Sequence, residues 1–276
     1  MRPIRALGFL VFSIGIATAQ TDSDSIHSVF NSPLASQPVR ASSAPISYVV
    51  AHFPYGGGWN TRVMLANTGA SDATVDVNFF QPGGAPALVP LEGQTGLQGS
   101  QHLVIPKNHV QVVGGELSRR NDNATTVAWA TAVSNAPLNV FSLFDIGPSV
   151  NSINAAVGAQ STPAAKTFRF PISVYGPTNY TAGLAVANPN KSGTNVTVKL
   201  LDATGAVKAT IQKNLPADGQ TIFLVTDKTA FFNEIDPSKL FNGSLAICAS
   251  QPVGLVAIGA EGGALFTTSV TNDPCP

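Results

Sequence analysis

Charge is scarce in this chain. Of its 276 residues only 11% are Asp, Glu, Lys or Arg, where about 25% is usual, and the 15 basic side chains balance the 15 acidic ones. Such a composition argues against nucleic acid as a partner. A phosphate backbone needs clustered cations, and the one dense basic point, Arg119-Arg120, stands beside Glu116 and Asp122. Zero net charge also removes long-range self-repulsion, which leaves self-association physically easy. Cysteine is nearly missing too: Cys248 and Cys275 are the only pair, without the CxxC spacing or neighbouring ligands of a metal or redox site. Beyond the first twenty residues no run approaches the roughly 18 apolar residues of a membrane-spanning helix. Catalytic signatures are equally thin. There is no GxSxG elbow and no HExxH helix, and His27, His52, His102 and His109 belong to no motif. The acids fall mostly in turns, the run Asn121-Asp122-Asn123 lacks the spacing of a calcium loop, and no cofactor or metal is implied.

What is present begins at the N-terminus. Arg2 and Arg5 precede an apolar run from Ala6 to Ile16 and the small residues Ala17-Thr18-Ala19. That is the tripartite pattern of a secretory signal peptide over residues 1–19. Residues 20–46, rich in Ser, Asp, Ala, Gln and Pro, read as a flexible lead-in. Export places Cys248 and Cys275 where a disulfide persists, and the two are expected to pair.

The remainder says the same thing twice. TRVMLAN, ATVDVNFF and VIPKNHVQVV return in the same order as TAGLAVAN, TNVTVKLL and NLPADGQTIFLV. Val75, Val77 and Phe79 alternate with Asp76 and Asn78, and Val196, Val198 and Leu200 alternate with Thr197 and Lys199. Period-two patterning bounded by Gly, Pro and Asn indicates antiparallel strands with one buried face. About seven short strands per copy predict an all-β protein of two tandem Ig-like antiparallel β-sandwich domains, a barrel of the same size being the alternative. The expected boundaries are 47–160 for the first, 161–166 for a linker and 167–276 for the second. Pro106 and Pro216 suit a strand start or an edge. TTVAWATAV and LNVFSLF flank Asn135-Ala136-Pro137 as an expected hairpin, matched by SLAICAS and VGLVAIGA around Gln251-Pro252. One helix is expected, from Asp227 to Ile235.

The most suggestive local feature is Tyr55-Gly56-Gly57-Gly58-Trp59, whose counterpart, Tyr175 to Tyr180, also carries an aromatic at each end. Tyr55, Trp59, Tyr175 and Tyr180 are therefore the candidate ligand-binding residues, offering apolar faces with polar handles to a sugar ring or a partner surface. The plainer account is that the glycines make a wide turn and the aromatics cover the core. Asn67 and Asn188 end matching strands, where an Asn side chain forms an Asx-turn. Sequons for N-glycosylation stand at Asn123, Asn179, Asn190, Asn195 and Asn242.

The series FPYGGGWNTRVMLAN, VDVNFF, LEGQTG and VIPKNHVQVV, with GLAVAN, LPADGQTIFLV, FNGSLAICASQPVGLVAIG and ALFTTSV, resembles repeat modules of secreted proteins from environmental bacteria, notably Acidobacteria. The resemblance covers nearly everything after residue 48. It implies paired β-sandwich units in an exported protein and carries no catalytic residue. The resulting expectation is a non-enzymatic binding or adhesion protein of the cell surface or matrix, recognising glycans or a protein partner. A self-assembling structural protein and a hydrolase with an unrecognised site are the alternatives.

Overall fold

Wherever the sequence alternates, the chain is strand. The computed structural model describes residues 45–148, 152–161, 163–174, 181–225, 239–261, 264–267, 270–271 and 275–276. Over these it is all-β, with one 3-10 turn at Leu117–Asn121. The first half comprises β1 (Ile46–Tyr55), β2 (Trp59–Asn67), β3 (Ala73–Phe80), the two-residue β4 (Val89–Pro90) and β5 (Leu97–Gln98), β6 (Ser100–Ile105), β7 (Val110–Gly114), β8 (Thr126–Ser134), β9 (Leu138–Ile146) and β10 (Ala155–Gln160). The second comprises β11 (Ala165–Val174), β12 (Thr181–Ala187), β13 (Thr194–Asp202), β14 (Val207–Leu215), β15 (Gln220–Leu224), β16 (Phe241–Glu261) and β17 (Ala264–Thr267). The signal-peptide pattern, most of the lead-in, Tyr175, Tyr180 and the expected Asp227–Ile235 helix lie outside the described residues.

The duplication extends to topology. In the first half one sheet has the order β1-β8-β3-β6 and the other β10-β9-β2-β7. In the second, β11, the first part of β16, β13 and β14 repeat the former; β17, the later part of β16, β12 and β15 repeat the latter. All these pairs are antiparallel. Immunoglobulin domains place their first two strands in one sheet. Here β1 and β2 lie in different sheets, so the likeness is to the two-layer layout and not to the strand order.

Two expectations are corrected. The late segments of each half do not form hairpins: β8 pairs with β1 and β3, while β9 pairs with β2 and β10. In the second half the same stretch is the single strand β16, serving one sheet before Gln251-Pro252 and the other after it. The tight two-residue hairpin needs Gly or Asn at positive φ, and neither Asn135-Ala136-Pro137 nor Gln251-Pro252 supplies it. Crossing between layers instead keeps Ala130, Ala132, Leu138 and Val140 in one core. Pro106 and Pro216 follow the last residues of β6 and β14 and do not start strands; both strands are sheet edges, where a missing N–H costs least.

Each half has its own core. Val50, Phe53, Val63, Leu65, Val75 and Phe79 belong to the first, and Phe168, Phe170, Leu184, Val198, Leu245 and Leu255 to the second. The alternating polar residues face outward, as the period requires. Asn67 and Asn188 show how closely the halves agree. Asn67 Nδ2 donates to the carbonyls of Ser71 and Ile105, both at 2.9 Å, and its Oδ1 accepts from Gly69 N. Asn188 Nδ2 donates to Ser192 and Pro216 at 2.9 and 2.7 Å, and its Oδ1 accepts from Asn190 N. Each side chain is buried and closes an Asx-turn while tying the end of its strand to the end of an edge strand of the opposite sheet, β6 for Asn67 and β14 for Asn188. Such bonds satisfy backbone carbonyls where a strand stops.

The halves are fused. Residues Val39–Pro276 form one compact unit, and the expected 161–166 linker is short: β10 ends at Gln160 and β11 starts at Ala165. Ser161 is fixed at both ends, its Oγ donating to Val49 O and its N to Val140 O, each at 2.9 Å. At the junction Trp129, fully buried, stacks on Phe80 with centroids 4.7 Å apart and donates through Nε1 to Asp218 O of the second half. Lys191 lies 5.6 Å over the Phe80 ring and pairs with Asp218 at 3.1 Å. Gly254 is required here by close approach, since a Cβ would stand 2.2 Å from Val49 Cγ1. A second apolar cluster joins Phe144, Val157 and Ala159 to Trp59, Val256, Ile258 and Leu265.

Candidate binding site at the junction of the two halves

A β-bulge aims the key side chain. Between Val50 and Phe53 the register of β1 against β8 slips, so that Ala51 and His52 together oppose Trp129. Bulges of this kind turn a side chain away from the regular pleat. His52 thereby leaves the first core and lines a cavity of about 220 Å³ between the halves. Its ring centroid is 5.9 Å from that of Phe144. Burial lowers the His52 pKa from 6.5 to about 4, so the imidazole is neutral at pH 7. Its Nδ1 is shielded from solvent and has no hydrogen-bond partner among the described residues.

The remaining wall is apolar. Trp59 comes from the first half; Ile222, Leu224, Val256, Ile258 and Leu265 come from the second. Alternation explains their direction. Leu184, Phe223, Leu255 and Ala257 face the second core, so Gly183, Ala185, Ile222, Leu224, Val256 and Ile258 face the other way, toward the first half. Ile222 and Leu224, on the edge strand β15, remain 42% and 54% exposed and form the open side. Gly183, Ala185 and Ala260 supply the space.

The register shows which residues open this space in the second half. Asn67 corresponds to Asn188, hence Arg62 to Gly183, Met64 to Ala185 and Asp145 to Ala260. In the first half Arg62 Nη2 and the fully buried Asp145 Oδ2 pair at 3.1 Å, and Asn60 Nδ2 donates to Gly115 O at 2.8 Å. A filled, polar arrangement in one half is a void in the other.

The aromatic turn is not a rim. Gly56, Gly57 and Gly58 all have positive φ, and a Cβ on Gly57 would stand 2.5 Å from Thr125 Oγ1. Gly57 N donates to Asp122 O at 2.9 Å, so the turn lies tight against residues 122–125. Only glycine meets both demands. Tyr55 and Trp59 therefore diverge. Tyr55 packs on the first core, 6.4 Å from Phe53, and burial raises its pKa against the effect of a Thr126 hydrogen bond. Trp59 joins the junction and walls the cavity.

Other polar groups have structural settings. His102 Nδ1 lies 2.6 Å from Asp76 Oδ1 on the surface, and His109 Nδ1 lies 2.8 Å from Lys107 O. Arg119 stands 3.7 Å from both Glu116 and Asp122. Asp202 is held well below the usual carboxylate range, chiefly by the Thr204 hydroxyl and then by Lys208, and closes the turn after β13. Among the described residues no three His, Cys, Asp or Glu side chains lie together as a metal site. Cys248 and Cys275 form a disulfide with Cα atoms 5.9 Å apart, which fits an oxidising compartment. Among the described residues no helix is long and apolar enough to cross a membrane.

Sequence reasoning selected Trp59 and missed His52. One histidine among four carries no signal; its role depends on a bulge that no local pattern announces. The paired loss of bulk at Gly183 and Ala260, aligned on Asn67 and Asn188, was the available clue. No protein-family model matches the chain, and no curated protein is similar to it.

Proposed function

We propose that this is an exported, non-enzymatic binding protein that acts by adhesion at the cell surface or in the matrix, holding a glycan or a protein partner at the junction of its halves. The observation that carries this reading is the cavity walled by Trp59 and His52 and open at Ile222 and Leu224. Concave, mostly apolar sites between structural units, with a few polar groups, are where ligands bind. Export is supported by the N-terminal pattern and by the disulfide. Polysaccharide pull-down and a glycan array, run on the protein and on Trp59→Ala, test the reading. Capture should fall at least about tenfold, the effect of one well-packed aromatic contact. Unchanged capture by Trp59→Ala removes the junction from the function.

Self-assembly is a second reading, favoured by one edge. Strand β7, Val-Gln-Val-Val-Gly, has no charged residue, ends its sheet, and leaves Val110 and Val112 59% and 46% exposed. Edges normally carry charge against such pairing. Sedimentation velocity should show concentration-dependent association that Val112→Lys abolishes; a monomer at every concentration rejects it.

A further inference from the structure

We propose that the junction cavity seats a compact, mostly apolar small molecule, a ring system of about nine non-hydrogen atoms carrying one hydrogen-bonding group that meets His52. This rests on the reading of the junction as a ligand site and names the chemical class of its ligand.

Size comes first. A dry cavity of about 150 Å³ accepts benzene. By proportion, about 220 Å³ takes roughly nine non-hydrogen atoms, two fused rings in place of one. The wall then sets the chemistry. Apart from the Trp59 indole and His52, every side chain lining the space is aliphatic or absent. A sugar would carry several hydroxyls into an interior with almost no partners for them, which is unfavourable. A molecule with a single N–H or O–H meets no such penalty. A glycan or protein partner held at the junction therefore lies over the open side, at Ile222 and Leu224, and the space behind takes a different ligand.

His52 is the second, independent observation. A neutral imidazole has one donor and one acceptor nitrogen; here Nδ1 has no partner among the described residues and is closed to water, so a ligand in the cavity meets it once the ring turns about its Cβ–Cγ bond. Buried polar groups are ordinarily paired. An irregularity of β1 is maintained that brings this side chain to the cavity. The space is also produced by residue choice and not by poor packing: Gly183, Ala185 and Ala260 replace the bulk of Arg62, Met64 and Asp145 at equivalent points of the same sheet. Entry needs no unfolding, since the half-exposed Leu224 and Ile222 side chains stand at the open side and turn about their own bonds.

Indole and indane, each a fused six- and five-membered ring of nine non-hydrogen atoms, the one carrying an N–H and the other only C–H bonds, serve as the probe pair, with glucose as the polar control. Isothermal titration and ligand-detected NMR at pH 7.5 should show indole binding at least about tenfold more tightly than indane, the value of one hydrogen bond, and no binding of glucose. His52→Leu should bring indole and indane within about threefold of each other. Gly183→Leu should weaken both at least about tenfold by filling the space. Its Cβ would stand 3.1 Å from Leu224 Cδ2, the mobile end of a half-exposed side chain, so folding should survive. Ala185→Leu provides a second filling variant should Gly183→Leu fail to fold. Failure of both probes to bind, or indole binding unchanged by the folded filling variants, overturns the proposal. If that happens while polysaccharide capture still depends on Trp59, the adhesive reading stands and only the ligand class falls. Indole binding without any glycan or protein capture upholds the ligand class and removes the adhesive reading.

Discussion

At the same point of the same sheet, the first half holds Arg62 and Asp145 and the second holds Gly183 and Ala260. The fold is insensitive to the exchange. Strand order, the Asn67 and Asn188 clamps and the two cores are reproduced on either side of it. The lesson is that the repeated positions carry the architecture, while the face turned away from each core is free to be filled or emptied. In the first half that face carries an ion pair; in the second it meets the other half and leaves a cavity.

Three experiments break or sharpen that comparison. The largest effect belongs to Trp129, which joins the halves. Trp129→Ala removes a fully buried indole, its stack on Phe80 and its bond to Asp218 O, and should cost about 3–5 kcal/mol in urea unfolding. The single transition expected of the protein should separate into two. Two transitions already present in the unaltered protein would mean that the halves are independent.

Next comes the exchanged pair itself. Asp145→Ala strands the Arg62 guanidinium, whose side chain is 35% exposed and so recovers part of its hydration; the expected loss is about 2–3 kcal/mol. Arg62→Gly with Asp145→Ala copies the second half and should cost less than the sum of the single changes, as coupled neighbours do. Additive losses, read from the double-mutant cycle, would show that the two side chains do not act as a unit.

The smallest effect is pH dependence from His52. Its folded pKa is lowered to about 4, so between pH 6.5 and 4 the unfolded chain binds a proton that the folded chain refuses. Stability is therefore fully present above pH 6.5 and is lost as pH falls through that window. Between pH 7.5 and 5 the loss should be about 1–2 kcal/mol, and His52→Leu should abolish it. A pH profile identical in the variant would place the imidazole in contact with bulk water.

Much of the fold was legible because its code is local. Alternation at Val75, Val77 and Phe79 states which face is buried without reference to anything distant, and the recurrence of LAN and VAN locates equivalent strand ends. The layer crossing at Asn135-Ala136-Pro137 was not legible. A proline turn between two apolar segments suits a hairpin and a crossover equally well, and the choice depends on partners far along the chain. The aromatic turn was half legible: Tyr55 and Trp59 share a motif, but residues 122–125 and the second half decide that one packs inward and the other walls a cavity.

By itself the sequence determined that the chain is β throughout its described length, that one unit is made twice, and that Cys248 and Cys275 are the one pair available to bond. These follow from short-range periodicity and from counting. Tertiary structure alone decided that the halves fuse through Trp129, that a bulge turns His52 out of its strand, and that the void left by Gly183 and Ala260 opens toward it. The physical reason is that packing between distant surfaces depends on shape in three dimensions, and no window of neighbouring residues contains that shape.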